Sequence, residues 1–385
     1  MDYKCILPWI HIETTSTGEV RPCCLYNEYI KVDSKTLKLD KSSILDAWQS
    51  DYMDDLRSQF LRGEKPTGCS ACWETESAGK VSKRQTSLKQ YAHRLDRYDQ
   101  PLQMPTYLDF KLGTVCNLKC RSCSSFSSSK WASDEIKLYQ RPMNPNHRSY
   151  WIEDQSPVWD DIETMLPSVE HFDFTGGEPF LVKKHFDILK ICADKGYAKD
   201  ITIHYNTNGT VMPTDEMFDI WKQFKNVEIM FSIDGVGDKF EYLRHPGKWD
   251  DLLAVFEKVK SLETFYVNIC YSVTVFNILY VKEFVQWFQQ YNLPPDRLYF
   301  NLIWKPEYLN IKNLSLESKT KIKLYLDSIS IDNKYFNDRV QELINFMFDG
   351  GDNLEQEFIK RTQQLDLIRG EDFSKVFPEL AEILL

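Results

Sequence analysis

Cys116, Cys120 and Cys123 fall within one eight-residue span of the stretch KLGTVCNLKCRSC. Thiolates are soft ligands, and three at this spacing can converge on one inorganic centre. Structural zinc sites usually join a Cys-x2-Cys pair to a second pair of ligands, which three thiols alone do not provide. A [4Fe–4S] cluster is the better match, because three thiolates hold three irons and leave the fourth open to an exogenous ligand. Gly113 and Asn117 beside the thiols suit a tight loop whose amides approach the sulfides. A second set, Cys5, Cys23, Cys24, Cys69 and Cys72, occupies the first quarter of the chain, while Cys192 and Cys270 stand apart.

The chain has 385 residues and a formal charge of −10, which gives no general attraction to nucleic acid or anionic lipid. No apolar run approaches the roughly 18–20 residues of a membrane span. The opening residues MDYKCILPWIHIETT lack a basic segment followed by an apolar one, so no secretory signal is expected. Ten cysteines without such a signal point to reduced thiols in the cytoplasm, available as metal or cluster ligands.

Residues 1–100 read as a small cysteine-rich domain. WIHIETT and EVRPCCL flank the turn STGE as a hairpin. SSILDAWQSDYMDDLRSQFLRG reads as one helix, capped by Ser42 or Ser43 and ending near Gly63. RYDQPLQMP follows as a linker. From 101 to 310, strand-like and helix-like runs alternate: TYLDFKL, VEHFDFT, DITIHYNT, VEIMFSID, FYVNICYSVTV and RLYFNLIW, with amphipathic stretches between them. This alternation predicts an α/β fold with a parallel sheet, open or curved into a barrel. Residues 311–385 read as a polar, mostly helical extension without a chemical motif.

A parallel sheet covered on both faces carries apolar residues on both. Here one set is polar. Thr202, His204, Asn206 and Asn208 alternate with Ile201, Ile203 and Tyr205, while Glu228, Met230, Ser232 and Asp234 oppose Val227, Ile229, Phe231 and Ile233. Asn268, Cys270, Ser272 and Thr274 repeat the pattern, as do Asp109 and Lys111. A curved sheet whose concave side meets a polar ligand accounts for it, since a filled barrel favours bulky apolar interiors.

The three-cysteine motif directly follows the first of these strands. Over about residues 106–305 the sequence resembles the radical S-adenosylmethionine (SAM) enzymes. The resemblance includes, in order at the ends of later strands, Gly176, Gly177, Glu178 and Pro179 in FTGGEP, Asn208 in NTNG, and Ser232 and Asp234 in SIDG, with Arg244 beyond. It implies a partial (β/α)6 TIM-like barrel and a SAM-binding [4Fe–4S] cluster on Cys116, Cys120 and Cys123. It also implies SAM contacts from the GGEP residues, Asn208, Ser232, Asp234 and Arg244. The implied reaction is reductive cleavage of SAM to a 5′-deoxyadenosyl radical, which takes hydrogen from a peptide, protein or small polar metabolite. A flavodoxin- or ferredoxin-like donor would supply the electron. Ser122 stands before the third cysteine, where this family usually has an aromatic residue.

The N-terminal cysteines resemble the auxiliary-cluster module called SPASM or twitch, here placed ahead of the barrel. That resemblance implies a second [4Fe–4S] cluster on Cys5, Cys23, Cys69 and Cys72, with Cys24 either substituting for Cys23 or a buried free thiol. Four thiolates also suit a zinc site. The competing reading of the whole chain is a non-catalytic iron–sulfur or zinc protein that retains the fold. Cys270 is a candidate hydrogen donor to a substrate radical, against a buried thiol that acts as a small hydrophobe. Cys192 is expected in the core and Ser124 to Ser129 as helix caps. The acidic DEI stretch, 134–136, is expected on the solvated surface.

Overall fold

The structure, a computed structural model, describes every residue except 1, 2, 40, 41, 78, 147–150, 152, 154 and 155. Among the described residues the strands are β1 His11–Thr14, β2 Val20–Arg21, β3 Lys31–Val32, β4 Lys35–Thr36 and β5 Tyr107–Lys111. They continue with β6 His171–Thr175, β7 Thr202–Thr207, β8 Asn226–Ser232, β9 Phe265–Val273 and β10 Leu298–Leu302. All six runs read as strands from residue 106 onward form. The fold is α/β, a mostly parallel sheet with helices between its strands, of the partial TIM-like class with a helical C-terminal region.

The chain divides into two compact units, Met1–Val115 with Asn146–Asn206 and Pro213–Glu228, and Cys116–Pro145 with Thr207–Met212 and Ile229–Leu385. In the first unit the hydrogen-bonded order is β7-β6-β5-β1-β2. The expected hairpin forms, with β1 and β2 antiparallel. Its first strand also lies parallel to β5, from His11 beside Tyr107 to Thr14 beside Phe110, which the sequence reading did not anticipate. In the second unit β9 and β10 pair in parallel, from Ile269 beside Leu298 to Val273 beside Leu302.

Alternation decides what each face meets. Leu108, Phe110, Phe172, Phe174, Ile203 and Tyr205 are buried on the apolar side. In the first unit they meet the helix Lys183–Asp194 through His185, Ile188, Leu189 and Cys192, so Cys192 is core as expected. In the second unit Phe231 meets Phe256 of the helix Trp249–Lys260 at 5.3 Å, and Tyr271 meets Phe284 of the helix Val281–Gln289 at 4.4 Å. Phe276 packs at 4.7 Å on Phe358 of the helix Glu355–Arg369, which ties the C-terminal helices into the second unit.

The segment read as one helix is two, Ile44–Trp48 and Asp51–Leu61. A serine interrupts it, because its hydroxyl competes for backbone donors. Ser50 Oγ accepts from the Met53 amide at 3.3 Å and caps the second helix, while Ser43 Oγ caps the first through the Leu45 amide at 3.0 Å.

One buried hydroxyl joins strand to helices. His185 Nδ1 donates to the Val182 carbonyl at 2.5 Å, which leaves Nε2 to accept from Tyr205 Oη at 3.0 Å. Trp221 Nε1 donates to the same oxygen at 3.3 Å. Burial keeps His185 neutral, with its pKa lowered to about 3. Tyr205→Phe strands a ring nitrogen and an indole N–H in the core. It is expected to cost about 1–3 kcal/mol, read as a lower urea midpoint at unchanged slope.

Candidate functional site

In the second unit the three-cysteine loop is braced from several directions. Lys119 N donates to the His245 carbonyl at 2.6 Å and Arg121 N to that of Leu243 at 2.8 Å. Asn208, expected as a SAM contact, donates to Asn117 Oδ1 at 2.9 Å and accepts from the Thr210 amide at 2.9 Å. Its Nδ2 stands 3.9 Å from Cys116 Sγ. The serines after the thiols brace the loop instead of capping a helix. Ser128 Oγ donates to the Leu118 carbonyl at 2.6 Å, and the helix Ala132–Tyr139 has no side-chain cap.

Arg244 sits among these thiols. It is 7% exposed, its Nη1 lies 3.8 Å from Cys120 Sγ, and its Nη2 lies 2.6 Å from Asp234 Oδ2. Burial opposes the guanidinium charge, but Asp234, Cys120, Cys123 and Cys270 outweigh it and raise its pKa. A hydrogen bond with Cys123, aided by Arg244 and opposed by burial, lowers the Cys120 thiol to about 7. Asp234 is fixed in turn, accepting from the Ser272 amide at 2.8 Å. Ser232 ends β8 half-buried, and burial followed by Asp234 pushes the Cys270 thiol up to about 11. Arg244 Nε is buried without a hydrogen-bond partner, a donor suited to an added carboxylate. The residues therefore fit an anionic group beside the thiols.

A second shell of charge was not legible in the sequence. Asp134 and Glu135, expected on the surface, are each 1% exposed. Asp134 pairs with Lys119 at 2.7 Å and with Arg369 at 2.9 Å, and Glu135 accepts from the Ser125 and Met143 amides at 2.8 and 2.7 Å. Arg121, between two of the thiols in sequence, reaches Asp366 and Glu371, both at 2.5 Å. The C-terminal extension, which carries no motif, thus supplies ion partners to the cysteine loop.

In the first unit the GGEP segment closes against residues 112–115. Gly177 N donates to the Gly113 carbonyl at 3.0 Å and Glu178 N to that of Val115 at 2.7 Å. A Cβ on Gly177 would collide with the Val115 carbonyl, so only glycine permits this approach. Gly176 (φ +107°) packs on the Leu112 backbone, less tightly but still too close for a Cβ. Glu178 is buried and accepts from the Phe180 amide at 3.2 Å, while Pro179 opens the following turn.

The N-terminal cysteines also gather in the first unit. Burial pushes the Cys5 thiol well up, and Cys23, Cys69 and Cys72 add to the effect, which places the four within one another's field. Burial, then Cys24, raises Cys23 to about 11. Cys24 lies close enough to raise the Cys23 thiol and accepts from Lys83 Nζ at 2.9 Å, so it is not an unpaired thiol. Arg84 closes the group by holding Glu76 with two bonds of 2.9 and 2.8 Å and the Lys4 carbonyl at 2.6 Å. Among the described residues no group of three or more His, Cys, Asp or Glu is arranged to hold a metal ion.

The polar face of the first unit carries one feature the sequence reading missed. Register sets Glu13 beside Asp109 and Asp109 beside Asp173, with His204 next on β7. Glu13 is paired with Arg21 at 2.9 Å and with Lys111. His171 lies 2.9 Å from Asp173 Oδ1 and Tyr107 donates to Oδ2. Burial opposes the Asp173 charge, but His171, His204 and Tyr107 hold it well below the usual range. His204 lies 3.4 Å from Glu228; burial works against its charge, while Glu228 and Asp173 raise its pKa. Asp109 is left with His11 Nε2 at 3.8 Å, beyond hydrogen-bond reach, and that nitrogen has no other partner.

Residues 110–288 match the Radical SAM superfamily, and residues 5–73 match SPASM, an iron–sulfur cluster-binding domain. These domains bind [4Fe–4S] clusters, the first together with SAM. Among curated proteins none matches. Among solved structures, native anSMEcpe with bound AdoMet is 19% identical, with 60% of this chain and 64% of that one covered and a TM-score of 0.39. Streptococcus suis SuiB bound to precursor peptide SuiA is 15% identical, with 85% and 70% covered and a TM-score of 0.39. The chain thus spans 64% of the length of anSMEcpe. No described helix is long and apolar enough to cross a membrane.

Asp109 gives a stability test. Burial, then Asp173, raises its pKa from 3.8 to about 7. The folded state therefore binds the extra proton between those values, and stability falls as pH rises through that window. Asp109→Asn removes the effect. Urea unfolding at pH 5 and pH 8 is expected to show the variant gaining on the parent chain at the higher pH; a gain at pH 5 alone would contradict the assignment.

Proposed function

We propose, from a chain that belongs to the radical SAM superfamily and carries an iron–sulfur SPASM module, an enzyme that cleaves SAM reductively and takes hydrogen from a peptide, protein or small polar metabolite. The observation that carries this reading is Arg244, a buried cation beside Cys120 and in the field of Cys123, with one donor unused. Cys116, Cys120 and Cys123 would hold the cluster, and the charge of Arg244 favours their thiolate forms. Arg244 would take the SAM carboxylate, its second face fixed by Asp234. The family resemblance also assigns SAM contacts to Gly176, Gly177, Glu178 and Pro179 of the first unit and to Asn208 and Ser232 of the second. When bound, the cluster and SAM supply a radical that can attack an unactivated carbon, which side-chain acids and bases cannot do.

Cys5, Cys23, Cys69 and Cys72 would hold the auxiliary cluster, with Cys24 kept aside by Lys83. Residues 1–100 would form that module, 101–310 the core and 311–385 the extension that buttresses the cysteine loop. The polar sheet face, with its unequal carboxyl pair Asp109 and Asp173, would orient the substrate and exclude water. Cys270 keeps its thiol hydrogen at neutral pH, as a hydrogen donor requires.

Anaerobic reconstitution is expected to load about eight irons per chain, and reduction with SAM to release 5′-deoxyadenosine. Cys120→Ala should abolish that product while retaining the auxiliary absorbance. Cys23→Ala should lose about half the iron, whereas Cys24→Ala should keep it. Full iron without 5′-deoxyadenosine would leave only the non-catalytic reading.

A further inference from the structure

The segment after Cys123 separates its charges by sign. Its two acids, Asp134 and Glu135, turn inward onto Lys119, Arg369 and backbone amides. Its three remaining bases, Lys130, Lys137 and Arg141, are exposed, and none forms an ion pair among the described residues. Phe126, Ile136, Tyr139 and Met143 are exposed among them, from 40% to 53%. Elsewhere in this acidic chain exposed bases commonly sit beside a carboxylate, as Lys222 does with Asp219 at 2.7 Å and Lys248 with Glu241 at 2.7 Å. Apolar side chains interleaved with unpaired cations are the composition of a protein-docking surface, not of an ordinary solvated helix.

The same segment leads straight to the thiols. Phe126 is three residues beyond Cys123. Ser122, Cys123, Tyr139, Met143 and Lys305 line one cavity of about 590 Å³. Of the carboxylates that also line it, Glu135 is spent on backbone amides and Glu357 faces Arg361 at 3.5 Å, which leaves Glu307. Lys305 and Glu307 are then the charges left in the lining, so the cavity beside Cys123 is balanced and partly apolar, and the unpaired cations lie on the exposed segment outside it.

We propose that the face formed by Phe126, Lys130, Ile136, Lys137, Tyr139 and Arg141 docks an acidic one-electron carrier protein. This rests on the radical SAM reading and assigns the place where the electron enters. Charge complementarity selects the partner: the exposed charges of this segment are all positive, and an acidic carrier gains attraction that a basic or neutral partner does not. Cys123 is the proposed cluster ligand nearest that segment in sequence, three residues before Phe126, so a carrier docked there would meet the cluster's own loop. Only an electron crosses, from the reduced carrier to the oxidised cluster.

The test compares two reductants on reconstituted holoenzyme. With dithionite, the triple variant Lys130→Glu/Lys137→Glu/Arg141→Glu is expected to form 5′-deoxyadenosine at the parent rate, because no contact with the SAM site changes. With reduced flavodoxin at low salt, its rate should fall at least about tenfold, and the gap should close near 0.5 M salt as charges are screened. Titration calorimetry with oxidised flavodoxin should show the matching loss of affinity, independent of turnover. Equal flavodoxin affinity in parent and variant overturns the proposal, as does an equal dithionite-driven loss, which would mark the face as substrate-binding. A parent holoenzyme that binds flavodoxin but yields no product with dithionite faults the enzymatic reading and leaves the docking face standing.

Discussion

Parallel pairing puts residues of neighbouring strands at one level, and in the first unit that level is filled with carboxylates. Glu13, Asp109 and Asp173 stand side by side on β1, β5 and β6. Like charges opposite one another on adjacent strands destabilise a sheet, and burial magnifies the effect. The unit must therefore bring counter-charges to this level or leave the carboxyls protonated. It does both. Arg21 and Lys111 neutralise Glu13, and His171 with Tyr107 serves Asp173. Asp109 has no cation of its own, only the weaker fields of Lys83, His171 and Arg21, and takes up a proton near neutrality. Glu13, Arg21, His11 and Lys83 all come from the first hundred residues. That is a physical reason for the N-terminal strand to lie in the sheet beside β5, where those groups reach the carboxyls.

The second unit solves the inverse problem around its thiols. Thiols that act as ligands need positive charge nearby, and Arg244 brings it to Cys120 and Cys123. A buried guanidinium itself needs an anion, which Asp234 supplies at 2.6 Å. Farther out, Arg121 and Arg369 carry more positive charge toward the loop and are balanced by Asp366, Glu371 and Asp134. The residues 366–371 lie far from the cysteines in sequence but next to them in charge balance. A polar C-terminal extension is what such a balance requires, and its lack of a motif follows from the work it does.

Legibility followed the range of the interaction. Strand alternation depends on neighbours two residues apart, so Leu108 against Asp109 and Ile203 against His204 could be read directly, and all six strands formed. The thiols were legible from their type and spacing, whereas GGEP and SIDG were legible only through resemblance to a family; Gly177, where no Cβ fits, is a position that backbone geometry itself dictates. The register that sets Asp109 beside Asp173 depends on pairing across more than sixty residues, and nothing local encodes it. The DEI stretch misled for the same reason, since its acids find Lys119 near by but Arg369 only through the fold. A run of two acids beside three bases was still a signal, because a helix face that keeps only its cations exposed must hide its anions. The split at Ser50 was missed because a serine followed by Asp51 suits a helix start and a helix interior alike.

Asp109 shows why stability and chemistry separate in this fold. A leucine at that position would remove a buried carboxyl that lacks a hydrogen-bond donor, and replacement of buried ionisable groups by packed apolar ones is commonly neutral or stabilising. His11 beside it would lose nothing, as its Nε2 already lacks a partner and burial holds the ring neutral, with its pKa lowered to about 3. Glu13 and Asp173 are different, because each carries its own cations, which their removal would strand. The level therefore contains two kinds of carboxyl: those the fold needs once its cations are in place, and one that the fold would be more stable without.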